Sequence, residues 1–148
     1  LLEAFRRIIA TRPDAHLVLS GRPPAHVATE PGVLALGYLP DKDLPVVLNA
    51  VDVACVISAN TRFGRFSYPV KLCEAMACGV PVVATATGPI QWMLSGHPDC
   101  LVPVGDPKAL ATRILAMLDS SRIDYGHAPR WAQVAHSLAA LLEGENLG

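Results

Sequence analysis

FGRFSYPVKLCEAMACGVPVVAT, residues Phe63–Thr85, carries the pattern that decides the fold. A loop, Ala59 to Tyr68, gives way at Pro69 to a helix that runs to Cys78, and Gly79 closes it. Proline suits a first helical turn, where an N–H would have no intrahelical partner. Glycine suits the residue past the end, where a left-handed φ is common. PVVAT (Pro81–Thr85) then reads as a short buried strand, and DVACVIS (Asp52–Ser58), upstream of the loop, is another, apolar on both faces. Strand, helix and strand in that order make a crossover between parallel strands.

The same alternation extends outward. Leu1 to about Arg12 predicts a helix with Leu1, Leu2, Phe5, Ile8 and Ile9 on one stripe, broken by Pro13-Asp14. His16–Ser20 is a strand closed by Gly21 and the Pro23-Pro24 loop, and Val33–Leu36 is a second strand ended by Gly37. Asp41 is placed to cap a helix through about Ala50, with Leu44, Val47 and Leu48 facing inward. Beyond Thr85, Thr87-Gly88-Pro89 turns into a short helix near Ile90–Leu94. Cys100–Val104 is a fifth strand, Asp106-Pro107 opens a helix to about Leu118, and Trp131–Leu142 is a last amphipathic helix. The fold class is α/β: a Rossmann-like, doubly wound, mostly parallel sheet with helices on both faces. Such sheets bind ligands beyond the carboxyl ends of their strands, here the loops after Ser20, Leu36, Ser58 and Thr85.

Composition excludes several classes. The chain has 148 residues, 51% of them hydrophobic, a mean hydropathy of +0.35 and a formal net charge of -1. One domain accounts for this length, with no repeat and no interior linker. No apolar run reaches the roughly 18 residues of a membrane-span candidate. The charge balance gives no reason to expect nucleic acid or an anionic membrane as a partner. Cys55, Cys73, Cys78 and Cys100 form no CxxC pair and read as free thiols in a reducing compartment. His16, His26, His97, His127 and His136 show no triad or metal-ligand spacing and read as surface or loop residues. No metal site and no cofactor is expected. LLEAFRRIIA reads as a helix already under way, amphipathic and charged and so no signal peptide; the chain is expected to be part of a longer one.

Chemistry concentrates at the helix start near Pro69. Unpaired N–H groups and the positive end of the helix dipole suit an anion there. Lys71, in the first turn, opposes that dipole, and a bound phosphate would explain it. Glu74, one turn later on the same face, can accept two hydroxyl hydrogen bonds of the kind a ribose offers. The plain alternative is a solvent-exposed Lys71–Glu74 ion pair at i,i+3. Among lesser candidates, Trp92 reads as packing, Asp52 as a capping or turn residue, and Arg62 and Arg65 as solvated loop residues.

With its loop, CEAMACGVPVVAT resembles the donor-site signature of family 4 glycosyltransferases, the retaining class with the GT-B fold. LLEAFRRIIATRPDAHLVLSG, LGYLPDKDLPVVLNAVDVACVIS and LVPVGDPKALATRILAML resemble further segments of that family, in its order, and together cover most of residues 1–118. The resemblance implies the C-terminal, donor-binding half of a two-domain enzyme. It also implies that the preceding strand and an N-terminal acceptor domain lie outside residues 1–148. Glu74 matches the second glutamate of the family's Glu-x7-Glu motif, which holds the donor ribose. The first falls on Phe66, a departure that marks either a subgroup with a Ser-Pro-Leu-Lys-Leu-Phe-Glu-like pattern or lost chemistry. Pro69 stands where many members have a glycine whose N–H meets the diphosphate; Val70 and Lys71 keep theirs, and Lys71 would stabilise the leaving diphosphate. Gly21, Tyr38, Leu39, Ser67, Thr87 and Gly88 match further donor-binding positions. The implied partners are a nucleoside diphosphate sugar and, through the absent half, a carbohydrate or lipid-linked acceptor. The implied location is the cytoplasm or the inner face of the membrane. A GT-B sugar-nucleotide epimerase and a non-catalytic partner subunit are the alternatives.

Overall fold

The computed structural model describes residues 1–126 and 131–143; His127 lies outside them. Among the described residues five strands, β1 (Leu17–Ser20), β2 (Val33–Gly37), β3 (Ala54–Val56), β4 (Val82–Thr85) and β5 (Leu101–Val102), alternate with helices. The helices are α1 (Leu2–Ile9), α2 (Ala25–Ala28), α3 (Leu44–Ala50), α4 (Arg62–Phe66), α5 (Val70–Ala77), α6 (Gly88–Met93), α7 (Pro107–Met117) and α8 (Trp131–Leu142). Every strand pairing is parallel. The strands form two pieces, β1-β2 and β3-β4-β5, where the sequence predicts one sheet. The facing edges of β1 and β3 are not hydrogen-bonded to each other, and a cavity of about 870 Å³ separates them.

The core gathers on β4. Val82, Val83 and Ala84 are fully buried, with Leu72 and Ala75 of α5 and Leu110, Ala111, Ile114 and Met117 of α7 in the same cluster. A strand covered on both faces is what a parallel sheet requires. Thr85 ends β4 and ties it to the chain leaving β3: its hydroxyl accepts from Ser58 N–H at 2.7 Å and donates to Ser58 O at 2.9 Å. Gly79 takes φ +65° at the end of α5, and its carbonyl accepts from Ile123 N–H at 2.8 Å. Two residues on, the Tyr125 hydroxyl accepts from Val82 N–H and donates to Val80 O, both at 2.9 Å. Desolvation first, and then Cys100, raise the Tyr125 pKa.

Several boundaries move. Asp41 caps no helix: Asp41–Asp43 form a 3-10 turn after Pro40, and α3 begins at Leu44. Asp106 does cap α7, its carboxylate accepting from Ala109 N–H at 2.8 Å. The predicted loop before Tyr68 contains α4, which Thr61 caps by accepting from Gly64 N–H at 3.1 Å. Only glycine fits at position 64, since a Cβ there would collide with the Ala59 carbonyl oxygen. Asp52 is exposed ahead of β3, which begins at Ala54. Trp92 is 72% exposed instead of packed. On the single turn and a half of α6, Ile90 faces the core, and a residue two positions on falls on the opposite face. The four cysteines are free thiols, Cys100 buried and the others half-buried. His16, His26 and His136 are exposed, and His97 packs edge-on against Tyr125 at 4.9 Å.

Candidate functional site

α5 supplies the centre of the site. Its start at Pro69 has no side-chain cap, and the first amide bonded back into the turn is Leu72 N–H to Pro69 O at 2.9 Å. The Val70 and Lys71 amides thus have no partner among the described residues, as the geometry of a helix start dictates. Lys71 is exposed and Glu74 half-buried, and they form no ion pair with each other or with any described residue. The surface-pair alternative for these two is therefore absent. A cation in the first turn and a half-buried carboxylate one turn in stand open to a ligand.

Opposite α5, the carboxyl ends of β1 and β2 form the other wall. Gly21 leaves β1 with φ +83° and donates to Gly37 O at 2.6 Å, joining the two strand ends. Tyr38 follows, 77% exposed, with the Arg22 guanidinium 5.6 Å from its ring centroid. A guanidinium over an aromatic face is a cation–π contact. Gly21, Tyr38, Leu39, Val70, Lys71 and Glu74 all line the cavity of about 870 Å³. Val70 and Glu74 also line a second cavity of about 710 Å³ on the other side of α5, walled by Tyr68, Cys73, Tyr125 and Trp131.

Ser67, Thr87 and Gly88, which the resemblance implies as donor-binding positions beside Glu74, do not line the first cavity. The formation of α4 accounts for this. Ser67 becomes its last cap, donating its N–H to Phe63 O at 2.8 Å. α4 packs on α6, where the backbone of Gly88 approaches the Arg65 carbonyl. Thr87 is buried there, its hydroxyl without a hydrogen-bond partner among the described residues. Arg65 donates to Asn60 Oδ1 at 2.8 Å, while Arg62, Phe63 and Phe66 are exposed. Reading the sequence missed two features: the Arg22–Tyr38 stack, for which Gly-Arg-Pro-Pro gives no signal, and α4, whose signal was the threonine cap at Thr61.

Among the described residues no group of three or more His, Cys, Asp or Glu side chains converges to hold a metal ion. No described helix is long and apolar enough to cross a membrane.

The parallel strands with helices on both faces make a Rossmann-like α/β domain, with an uncapped helix start facing two strand ends. Comparison with known proteins gives the family. Residues 1–120 match the family described as "Glycosyl transferases group 1", and the chain belongs to it. It is 32% identical over 162 residues to a D-inositol 3-phosphate glycosyltransferase of Mycolicibacterium gilvum, covering 96% of this chain and 35% of that protein. To a phosphatidyl-myo-inositol mannosyltransferase of Mycolicibacterium smegmatis it is 28% identical over 143 residues, 92% of this chain and 36% of the other. The chain thus spans about a third of the length of these relatives. In fold it is similar to Anabaena HepE, solved in complex with UDP and glucose, with a TM-score of 0.66, 21% identity, and coverage of 95% of this chain and 44% of that one.

Proposed function

We propose that residues 1–148 form the donor-binding half of a family 4 glycosyltransferase. It holds a nucleoside diphosphate sugar while an acceptor domain, preceding it in the longer chain, presents a carbohydrate or lipid-linked acceptor. The observation that carries this reading is the juxtaposition of unpaired Val70 and Lys71 amides, the Lys71 ammonium and the unpartnered Glu74 on one cavity at the carboxyl ends of the strands. Two relatives whose names describe glycosyl transfer support it. The solved relative with bound UDP and glucose shares the fold.

In this reading the diphosphate lies over the start of α5, and Glu74 accepts from the two ribose hydroxyls. Tyr38 and Leu39 border the base, with Gly21 leaving room for the backbone to approach. As the bond from the anomeric carbon to the diphosphate breaks, negative charge builds on the leaving oxygen. Amides and a cation already aimed there stabilise that charge without reorganisation. Ser67, Thr87 and Gly88 lie at the α4–α6 side of the site. Transfer proceeds with retention of the anomeric configuration, as the resemblance implies.

The experiment is turnover of a nucleoside diphosphate sugar by the longer protein, with the product's anomeric configuration read by NMR. A glycosylated acceptor of unchanged anomeric configuration supports the proposal. Free epimerised sugar nucleotide would assign the epimerase. Phe66, 84% exposed where a sugar-facing glutamate is expected, favours the reading as a non-catalytic partner. Nucleotide binding without any turnover would assign that role.

A further inference from the structure

Aromatic residues make up only 5% of the chain, yet three rings stand uncovered on one pair of short helices. Phe63, Phe66 and Trp92 are 80%, 84% and 72% exposed. On α4, the burial of Gly64 against Ala59 fixes which side faces the protein. At 3.6 residues per turn, Arg62, Phe63 and Phe66 cluster on the side away from Gly64. Trp92 comes from α6. Gly88 approaches the Arg65 carbonyl, so the side of α6 that carries Gly88 is the side against α4. Trp92, four residues on, continues that side one turn further out. The three rings therefore belong to one face of the α4–α6 pair. Folding gains nothing from leaving such rings in water, and a clustered apolar face marks a binding surface.

Composition says what the face suits. Ile90 and Met93, the aliphatic residues of the two helices, turn to the core, so the uncovered side chains are aromatic or polar. A surface for acyl chains or for a protein core would include aliphatic side chains. Flat rings edged by hydrogen-bonding groups suit a flat ligand with an apolar face and a polar rim. A pyranose is such a ligand: its C–H bonds are drawn to the negative face of an aromatic ring, and its hydroxyls lie around the edge. Arg62 is exposed and forms no ion pair with any described residue. Its guanidinium fork of donors is open to neighbouring hydroxyls, as is the amide of Gln91, also exposed.

Position says which sugar. Ser67, the last cap of α4, and Pro69, the first cap of α5, are two residues apart, so the face borders the start of α5. Phe63, Phe66 and Trp92 nevertheless do not line the cavity of about 870 Å³. A ring resting on them lies outside the nucleotide's chamber and beside its diphosphate end. We propose that the α4–α6 face is an acceptor subsite, on which Phe63, Phe66 and Trp92 stack the pyranose ring of a glycoside while Arg62 and Gln91 bond its hydroxyls. The proposal rests on reading the cavity as the donor site. It gives this half of the enzyme a share in choosing the acceptor, with Phe66 as a specificity-determining residue.

Fluorine NMR on the longer protein tests this. The protein is labelled with 5-fluorotryptophan, and the Trp92 resonance is assigned by its loss in Trp92→Phe. Methyl α-glucoside, methyl α-mannoside and methyl α-galactoside are titrated in turn, and UDP and GDP binding is read separately by calorimetry. At least one glycoside is expected to shift the Trp92 resonance saturably. Phe66→Leu keeps the apolar bulk and removes the ring, and is expected to weaken that glycoside about fivefold. Phe66→Tyr is expected to restore it. Phe66 is exposed, so neither substitution threatens the fold. Silence of Trp92 toward all three glycosides would overturn the proposal. Equal affinity in Phe66→Leu would also overturn it, since the ring would then be no more than apolar bulk. Phosphatidylglycerol vesicles that shift Trp92 when no glycoside does would assign the face to a membrane instead. A nucleotide that binds while no glycoside does would sink the acceptor subsite alone. A glycoside that binds here while neither UDP nor GDP binds would sink the donor reading and leave the face as a carbohydrate site.

Discussion

The two pieces of sheet are built from similar sequence and end up in opposite states. β4 is buried at every position, whereas β2 has Leu34 and Leu36 47% and 42% exposed. Both are short apolar runs flanked by glycine or proline. The difference lies in what covers them: α5 and α7 lie on the β3-β4-β5 piece, whereas among the described residues the helix packed most on β2 is the four-residue α2. Apolar patterning nominates a strand, but the helices packed on it determine how much of its side-chain surface leaves water.

Substitutions sharpen that contrast. Leu72→Ala, in the closed half, is expected to cost about 2–5 kcal/mol, because Leu72 is fully buried and its removal leaves a cavity. Leu34→Ala, in the open half, is expected to cost no more than about 1 kcal/mol. Urea unfolding of both variants checks the pair, and equal costs would mean that β2 is covered in solution. Tyr125→Phe comes next, at about 1–3 kcal/mol, since it strands the Val82 N–H and Val80 C=O in the core. Its signature is faster exchange at Val82 with β1-β2 exchange unchanged.

The smallest effect belongs to the open half. Arg6 of α1 grips Glu30 with two hydrogen bonds, 2.5 and 2.9 Å, just before β2. The hydrogen bond from Arg6 holds the Glu30 carboxyl below its usual range. A lowered carboxyl contributes stability that is present above its unfolded pKa and is lost as pH falls through the folded value. Acidification is therefore expected to speed β2 amide exchange before it affects β4, with Glu30→Gln removing the pH dependence. The effect is small because both side chains touch solvent.

Legibility followed the same division. The α5–β4 segment was readable because Pro69, Gly79 and a continuous apolar run each specify one local geometry. α4 was not, because Arg62–Phe66 has no apolar period and rests on one cap and on the tight approach of Gly64 to Ala59. β5 shrank to Leu101–Val102, and Pro103 beyond it has no N–H to give a ladder. The split of the strands into two pieces was not readable from periodicity, which nominates strands but does not say which edges pair. In the site, the resemblance led to the expectation that Gly21, Tyr38, Lys71 and Glu74 border one concavity, and the structure puts these four on one cavity together with Leu39 and Val70. Ser67 and Gly88 were placed with them, and the unforeseen α4 put them elsewhere.

The central claim is that Glu74 holds a ribose while the start of α5 holds a diphosphate. Calorimetric titration with UDP and GDP, and with their 2′,3′-dideoxy analogues, tests it on the wild type, Glu74→Gln and Lys71→Arg. For the nucleotide that binds, the wild type is expected to lose about tenfold in affinity when the ribose hydroxyls are removed, the worth of one charge-assisted bond. Glu74→Gln is expected to bind the normal nucleotide about as weakly as the wild type binds the dideoxy form, and to lose little more when the hydroxyls go. Lys71→Arg, which keeps its charge, should respond to the hydroxyls as the wild type does. A folded Glu74→Gln that still distinguishes ribose from dideoxyribose by the full wild-type factor would contradict the account.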